Sequence, residues 1–281
     1  MLIEPAFFAG DGVRLAADAI GDPAAPPVVF LHGGGQSRRS WHGSAERVAS
    51  AGYYALCIDL RGHGESGWAA DGDYALDTFG RDVERLLATL NRPVALVGAS
   101  RGGQAALVAA ARHPQYVSMI MLADVAPGMA ETGVEKIRAF FRASKDGFAS
   151  VEEAAEMLAQ HRELPRKPDV SGLAKALRRE ESGRLFWHWD PQTVSPSFLG
   201  GAAEEDAIRA AATRVSSPVI LVRGEFSDLV TQESVRLFRT LTPQLEVVEA
   251  AGAGHMFTGD RNEAFAGTLL MHLARFMPLD R

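Results

Sequence analysis

Residues Val94–Leu107 read VALVGASRGGQAAL. The run from Val94 to Val97 is apolar without alternation, as a strand buried on both faces requires. Ser100 then stands between Gly98 and Gly102, and a small-residue helix begins at once with Gly103, Ala105, Ala106, Ala109 and Ala110. A turn this sharp crowds the backbone, and two glycines remove the Cβ atoms that would collide. The helix, poor in bulk, can lie close to the sheet. The turn exposes the Ser100 hydroxyl at the end of a strand, where a nucleophile must stand to reach a carbonyl carbon.

Outward from this stretch the chain alternates strand and helix. FFA, GDG and VRLAADAIG read as a hairpin turning at Asp11-Gly12, and a linker with Pro23, Pro26 and Pro27 leads into the apolar strand VVFLH. A helix capped by Ser40 follows, with Trp41, Ala45, Val48 and Ala49 on one face and Gly52 at its end. Tyr54–Leu60 is the next buried strand. Leu76, Phe79, Val83, Leu86, Leu87 and Leu90 recur at helical spacing, Pro93–Gly98 is strand, Ser100 to His113 helix, and Val117–Ala123 strand. Uniformly apolar strands between helices predict a parallel sheet covered on both faces. Between about Ala126 and Thr213 the alternation stops, and VEKIRAFF, SVEEAAEMLAQH and SGLAKALRREE read as helices only, the second opening on a Ser150/Glu153 capping box. Strand and helix resume at Pro218–Val222 and Leu245–Val248, and a helix opens at Asp260. The expected organisation is a core in two parts, 1–125 and 214–281, with a helical insertion over 126–213.

A serine nucleophile needs a base, an acid to orient the base, and donors for the oxyanion. His255, in AGAGHMF after the last strand, is the expected base; His32, His63, His113 and His161 lie away from such a loop. The acid follows the preceding strand, where VILVRGEFSDLV offers Asp228; Glu225 and Asp124 are the alternatives. One oxyanion donor is the N–H of Arg101, the residue after the nucleophile. The glycine loop in LHGGGQ supplies the other, with Gly34 preferred and Gly33 or Gly35 as alternatives.

With Ser100, Asp228 and His255 in this chain order, and with LHGGG, DLRGHGES, VGASRGG, LVRGEFSD and GAGH in register, the sequence resembles the α/β-hydrolase fold superfamily over nearly its whole length. The resemblance implies an α/β fold with a mostly parallel sheet of about eight strands flanked by helices, and a helical cap that forms much of the substrate pocket. DLRGHGES resembles the branch of arylesterases, cofactor-free haloperoxidases and carbon–carbon bond hydrolases, where this loop is structural, so Asp59 and His63 are not expected to be catalytic. Epoxide hydrolases and dehalogenases carry aspartate where this chain has Ser100, which argues against those chemistries.

Composition bounds the partners. The chain has 281 residues, 47% of them hydrophobic and 23% charged, so one sizeable core with an insertion is affordable. A net charge of −6 offers no basic patch for nucleic acid or an anionic membrane. One cysteine, Cys57 in an apolar run, cannot form an internal disulfide and reads as a buried small hydrophobe. The N-terminus lacks a basic-then-apolar leader and no long apolar run occurs, so the expectation is a cytoplasmic protein acting on a small molecule. No zinc-spaced Cys/His cluster and no nucleotide loop appears, so no cofactor is expected.

Arg101 is the residue whose type the mechanism does not demand. A guanidinium beside a scissile bond, at the positive end of a helix, calls for a partner, either a neighbouring acid or a substrate carboxylate. Trp41, Phe226, Phe257 and the LFWHWD segment with Trp187 and Trp189 are aromatic candidates for the pocket. The function expected is a serine hydrolase of small or medium carboxylic esters, lactones or thioesters. Two rivals are carbon–carbon bond hydrolysis of a dienoic ring-fission product and a ligand-binding receptor on the same fold.

Overall fold

Residues 2–161, 170–174, 176–194, 201–251 and 262–279 are described by the computed structural model. The chain opens with β1 (Ile3–Ala9) and β2 (Arg14–Ile20), paired antiparallel around a turn in which Gly12 takes φ +77°. Then come β3 (Pro27–Leu31), α1 (His42–Ser50), β4 (Tyr54–Ile58), α2 (Leu76–Leu90), β5 (Val94–Ala99), α3 (Ser100–Arg112) and β6 (Val117–Ala123). The segment after β6 holds α4 (Glu131–Ala143), α5 (Val151–His161), the single turn α6 (Ser171–Ala174), β7 (Leu177–Arg179) and β8 (Leu185–Trp187). The chain returns through α7 (Ala202–Arg214), β9 (Val219–Gly224), α8 (Gln232–Leu241), β10 (Leu245–Ala250) and α9 (Asn262–Phe276).

The main sheet has eight strands in the order β1-β2-β4-β3-β5-β6-β9-β10. Every pairing from β4 to β10 is parallel; β1–β2 and β2–β4 are antiparallel. The sheet is an α/β arrangement because its strands are apolar on both faces. Val28 and Phe30 point to a core layer with Ala45 and Val48 of α1 and Leu269 and Leu273 of α9. Val29 and Leu31 point to the opposite layer, with Phe79, Val83, Leu86 and Leu87 of α2, the alanines of α3, and Phe238 of α8. Burying each large apolar side chain of α2 stabilises the fold by about 1.5–3 kcal/mol, which is why its 3.6-residue period was readable. The helix ends at Asn91, in the left-handed region at φ +47°.

Two local expectations are corrected. Ser40 does not cap α1. It lies in a short 3-10 turn, Arg38–Trp41, and Trp41 precedes the helix without a side-chain cap. SGLAKALRREE is helical only at its start. Leu177–Arg179 instead pairs antiparallel with Leu185–Trp187, closed by a turn in which Gly183 takes φ +79°. Phe148 exchanges backbone hydrogen bonds with Leu185 at 2.7 and 2.8 Å, so a third segment supports the hairpin. That support comes from outside the segment, and it overrides local helix propensity. Among the described residues, no helix is long and apolar enough to cross a membrane.

Candidate active site

β5 lies between β3 and β6 and parallel to both, so the loops after three neighbouring strands meet at the C-terminal end of the sheet's middle. At the end of β5, Ser100 adopts φ +44°, a left-handed conformation that non-glycine residues rarely hold and that sharp functional turns impose. The glycines flanking it are required by space. A Cβ at Gly102 would come within 2.4 Å of the Leu31 carbonyl oxygen, and one at Gly98 within 2.5 Å of Gly103 Cα. The turn from β5 into α3 therefore closes only with glycine at Gly98, and α3 packs on β3 only with glycine at Gly102. Ser100 is half-buried and lines a cavity of about 970 Å³.

The glycine loop after β3 lies against Ser100, for a Cβ at Gly33 would be 3.3 Å from Ser100 Cβ. Its amides are largely committed. The Gly33 N–H donates to Gln36 Oε1 at 3.0 Å, and the Gly35 N–H to His63 Nε2 at 3.1 Å. Gly34 is left as the loop glycine whose N–H is not spent on either contact. Two buried histidines brace this loop. His32 Nδ1 bonds the Gly33 carbonyl at 2.7 Å while its Nε2 accepts the Leu60 N–H at 3.0 Å. Burial pulls both histidines below the usual imidazole range, His63 down to about 3, so both are neutral braces. Arg38, also buried, is held by Asp59 and Asp18; burial alone would lower its pKa, but these two carboxylates raise it.

The two acid candidates differ in setting. Asp124 is fully buried at the end of β6, at φ +48°. Its Oδ1 accepts the Gly224 N–H at 3.1 Å and its Oδ2 the Ser227 hydroxyl at 2.6 Å. Ser227 Oγ in turn accepts the N–H groups of Leu229 and Val230 at 3.2 and 2.9 Å, so Asp124 shapes the loop that carries Asp228. Asp228 is exposed, and its Oδ2 takes Lys136 Nζ of α4 at 2.7 Å. Glu225, the third candidate, is exposed on the same loop. His255, the expected base, and Phe257 lie outside the described residues.

Arg101, in the first turn of α3, is buried, and its guanidinium pairs with Glu204 of α7, Nη1 standing 3.1 Å from both carboxylate oxygens. Glu204 also accepts the Leu76 N–H at 3.1 Å. The partner demanded by a cation at this position is thus an acid 103 residues away, a pairing no local pattern announces. Trp187 lines the cavity together with Trp189; their rings stack 5.2 Å apart at 15°. Two aromatic expectations are corrected. Trp41 is fully buried between Phe30 and Phe265, because the apolar face beginning at this residue packs on the sheet, not the cavity. Phe226 is 70% exposed and is not among the lining residues, its loop being held by Asp124 with the ring outward. Sequence reasoning missed Phe140 and Phe141 of α4, which line the cavity. Their helical spacing with Val134 and Ile137 signalled a packed face without saying that it borders a cleft. Among the described residues no cluster of His, Cys, Asp and Glu could hold a metal ion.

The chain is 31% identical to Esterase Rv0045c of Mycobacterium tuberculosis over 252 residues, covering 86% of this chain and 80% of that protein. It is 29% identical to a 3-hydroxybutyrate-oligomer hydrolase of Cupriavidus necator, covering 86% and 87% of the two chains. The crystal structure of E-2-(acetamidomethylene)succinate hydrolase superposes with a TM-score of 0.82 at 22% identity, over 99% of this chain and all of the other, a likeness of fold. A family model described as alpha/beta hydrolase fold matches residues 26–261, and the chain belongs to that family.

Proposed function

We propose that this hydrolase cleaves small or medium carboxylic esters, lactones or thioesters through an acyl-enzyme on Ser100. The observation that carries the reading is Ser100 itself: a strained, cavity-lining serine between β5 and α3, with the Gly33–Gly35 loop against it. Ser100 Oγ attacks the carbonyl carbon as its proton passes to His255, and the oxyanion is held by the N–H groups of Gly34 and Arg101. The intermediate collapses, the alcohol leaves with the proton from His255, and the acyl group stays on Ser100. Water then gives a proton to His255 as it attacks the acyl carbon, and the second intermediate expels Ser100 Oγ, which takes that proton back from His255 as the acid is released. Asp228 holds the imidazole in the tautomer this sequence needs, with Asp124 bracing its loop. Residues 126–213 serve as a cap, between core parts 1–125 and 214–281.

Two findings favour an ester over a carboxylate-bearing ring-fission product. Among the described residues, the arginines lining the cavity already have carboxylate partners: Arg38 with Asp18, Arg39 with Glu65, Arg101 with Glu204, Arg138 with Glu135, and Arg209 with Glu205. The 31%-identical relative is named an esterase. Hydrolysis of p-nitrophenyl acetate, butyrate and octanoate by wild type and Ser100→Ala tests the proposal. Turnover that disappears with Ser100 supports it, and the chain-length preference sizes the pocket. Turnover that survives Ser100→Ala, or a folded wild type inert to all three esters, overturns it.

A further inference from the structure

We propose that His63 is a positioning residue of the oxyanion loop, holding the Gly35 amide so that the neighbouring Gly34 N–H is presented to the reacting carbonyl. The inference rests on the hydrolase reading above. Its first support is the direction of the hydrogen bonds. His63 Nδ1 faces the Arg61 carbonyl at 2.9 Å, an acceptor only, so Nδ1 carries the ring proton. Nε2 is then a bare acceptor, and the Gly35 N–H is what it receives, at 3.1 Å. With the Gly33 N–H on Gln36 Oε1, the amides on either side of Gly34 are tied down within the loop. A flexible glycine run thereby acquires one orientation, which is what an oxyanion donor requires before the charge develops.

The second support is what else the same turn holds. The Gly64 N–H donates to the His188 carbonyl at 3.1 Å, and the Asp190 N–H to the Gly62 carbonyl at 2.7 Å, a backbone bridge that places His63 opposite Trp189. The Trp189 ring lies 3.3 Å from where a Cβ of Gly35 would be. The turn is itself fixed from below, because the Arg61 guanidinium is bound by both oxygens of Asp82 at 2.6 and 2.7 Å. His63 therefore reaches the oxyanion loop through its side chain while its neighbours carry the tryptophan segment that covers that loop. One turn aligns the donor and the wall of the pocket together. The position of His63, 37 residues before the nucleophile in a motif read as purely structural, concealed this.

Two substitutions separate the roles. His63→Asn keeps a donor for the Arg61 carbonyl and lacks an acceptor at the Nε2 position; His63→Gln places an amide oxygen there. With p-nitrophenyl butyrate, His63→Asn should lower kcat about 100-fold, the scale of one oxyanion donor, with KM within about 2-fold. Its affinity for a trifluoromethyl ketone, which adds to Ser100 as an oxyanion, should fall in parallel. His63→Gln should keep kcat within about 10-fold of wild type. The proposal is overturned if His63→Asn keeps kcat within about 3-fold, if both variants fall together, or if KM alone changes. Should His63→Asn fail to fold, the wild-type protein decides. Long-range ¹H–¹⁵N correlation must show His63 as the Nδ1-protonated tautomer, and the Nε2-protonated form would refute the arrangement. That spectrum needs no substrate, so it fails independently of the ester reading.

Discussion

Asp228→Asn and Asp124→Asn, compared side by side, test which acid serves His255. Asp228 is half-exposed and its visible partner is Lys136, itself 53% exposed, so losing this surface pair costs at most about 1 kcal/mol. The melting temperature should therefore move by no more than about 2–4 °C. As the orienting acid, however, Asp228 should lower kcat by about 10⁴-fold when replaced by its amide, the scale known for the equivalent change in serine proteases. Asp124→Asn acts differently. An asparagine can still accept the Gly224 N–H, but its Nδ2 would face Ser227 Oγ, which already accepts from Leu229 and Val230 and must donate outward. A broken charge-assisted bond of this kind costs about 1.5–3 kcal/mol, or roughly 3–10 °C in melting temperature. Activity of the folded fraction should stay within about 10-fold. Thermal melts and p-nitrophenyl butyrate kinetics on both variants read all four numbers. If Asp228→Asn is active and Asp124→Asn is folded but dead, the acid sits after β6 and the assignment is wrong.

Two further outcomes are expected. Burial pushes the Cys57 thiol up, away from thiolate formation, so native protein should not react with a disulfide reagent that labels one thiol after denaturation; native labelling would refute its burial. His32 and His63 are held below the imidazole range when folded, so each contributes stability that is present above about pH 6.5 and lost as pH falls toward its folded value. Urea midpoints should fall between about pH 6 and pH 4, each histidine adding up to about 1.4 kcal/mol per pH unit, with a shallower slope in His63→Gln. An unchanged slope would mean His63 is charged in the folded protein.

The parts of the fold legible in the sequence are those whose cause is local. The Ser100 turn was readable because its two glycines, its strand and its helix are adjacent, and the α2 stripe because burial and period coincide. Gly12 marked a turn by backbone preference alone. What could not be read depends on distant partners. Arg101 announced a need for a partner but not Glu204, and SGLAKALRREE gave no sign of Phe148 and Leu185. Trp41 and Phe226 were placed by proximity to the site in sequence. In the structure one turns into the core and the other into solvent. His63 looked inert because its chemistry is performed on another residue's amide.

The pairing of β6 with β9 carries a consequence for how this protein can change. Ile120–Ala123 lies in parallel register with Val219–Val222, although about 95 residues separate the two strands. Closing a connection of that length rather than one of about 12 residues costs only about 2 kcal/mol of chain entropy, because the penalty grows with the logarithm of length. The sheet is therefore nearly indifferent to how much chain is threaded between these strands. Lengthening, trimming or exchanging that segment is a cheap evolutionary move, and a laboratory chimera made at Ala123 and Val219 inherits the same permission. Ser100 can stay where it is while the chain around it is renegotiated.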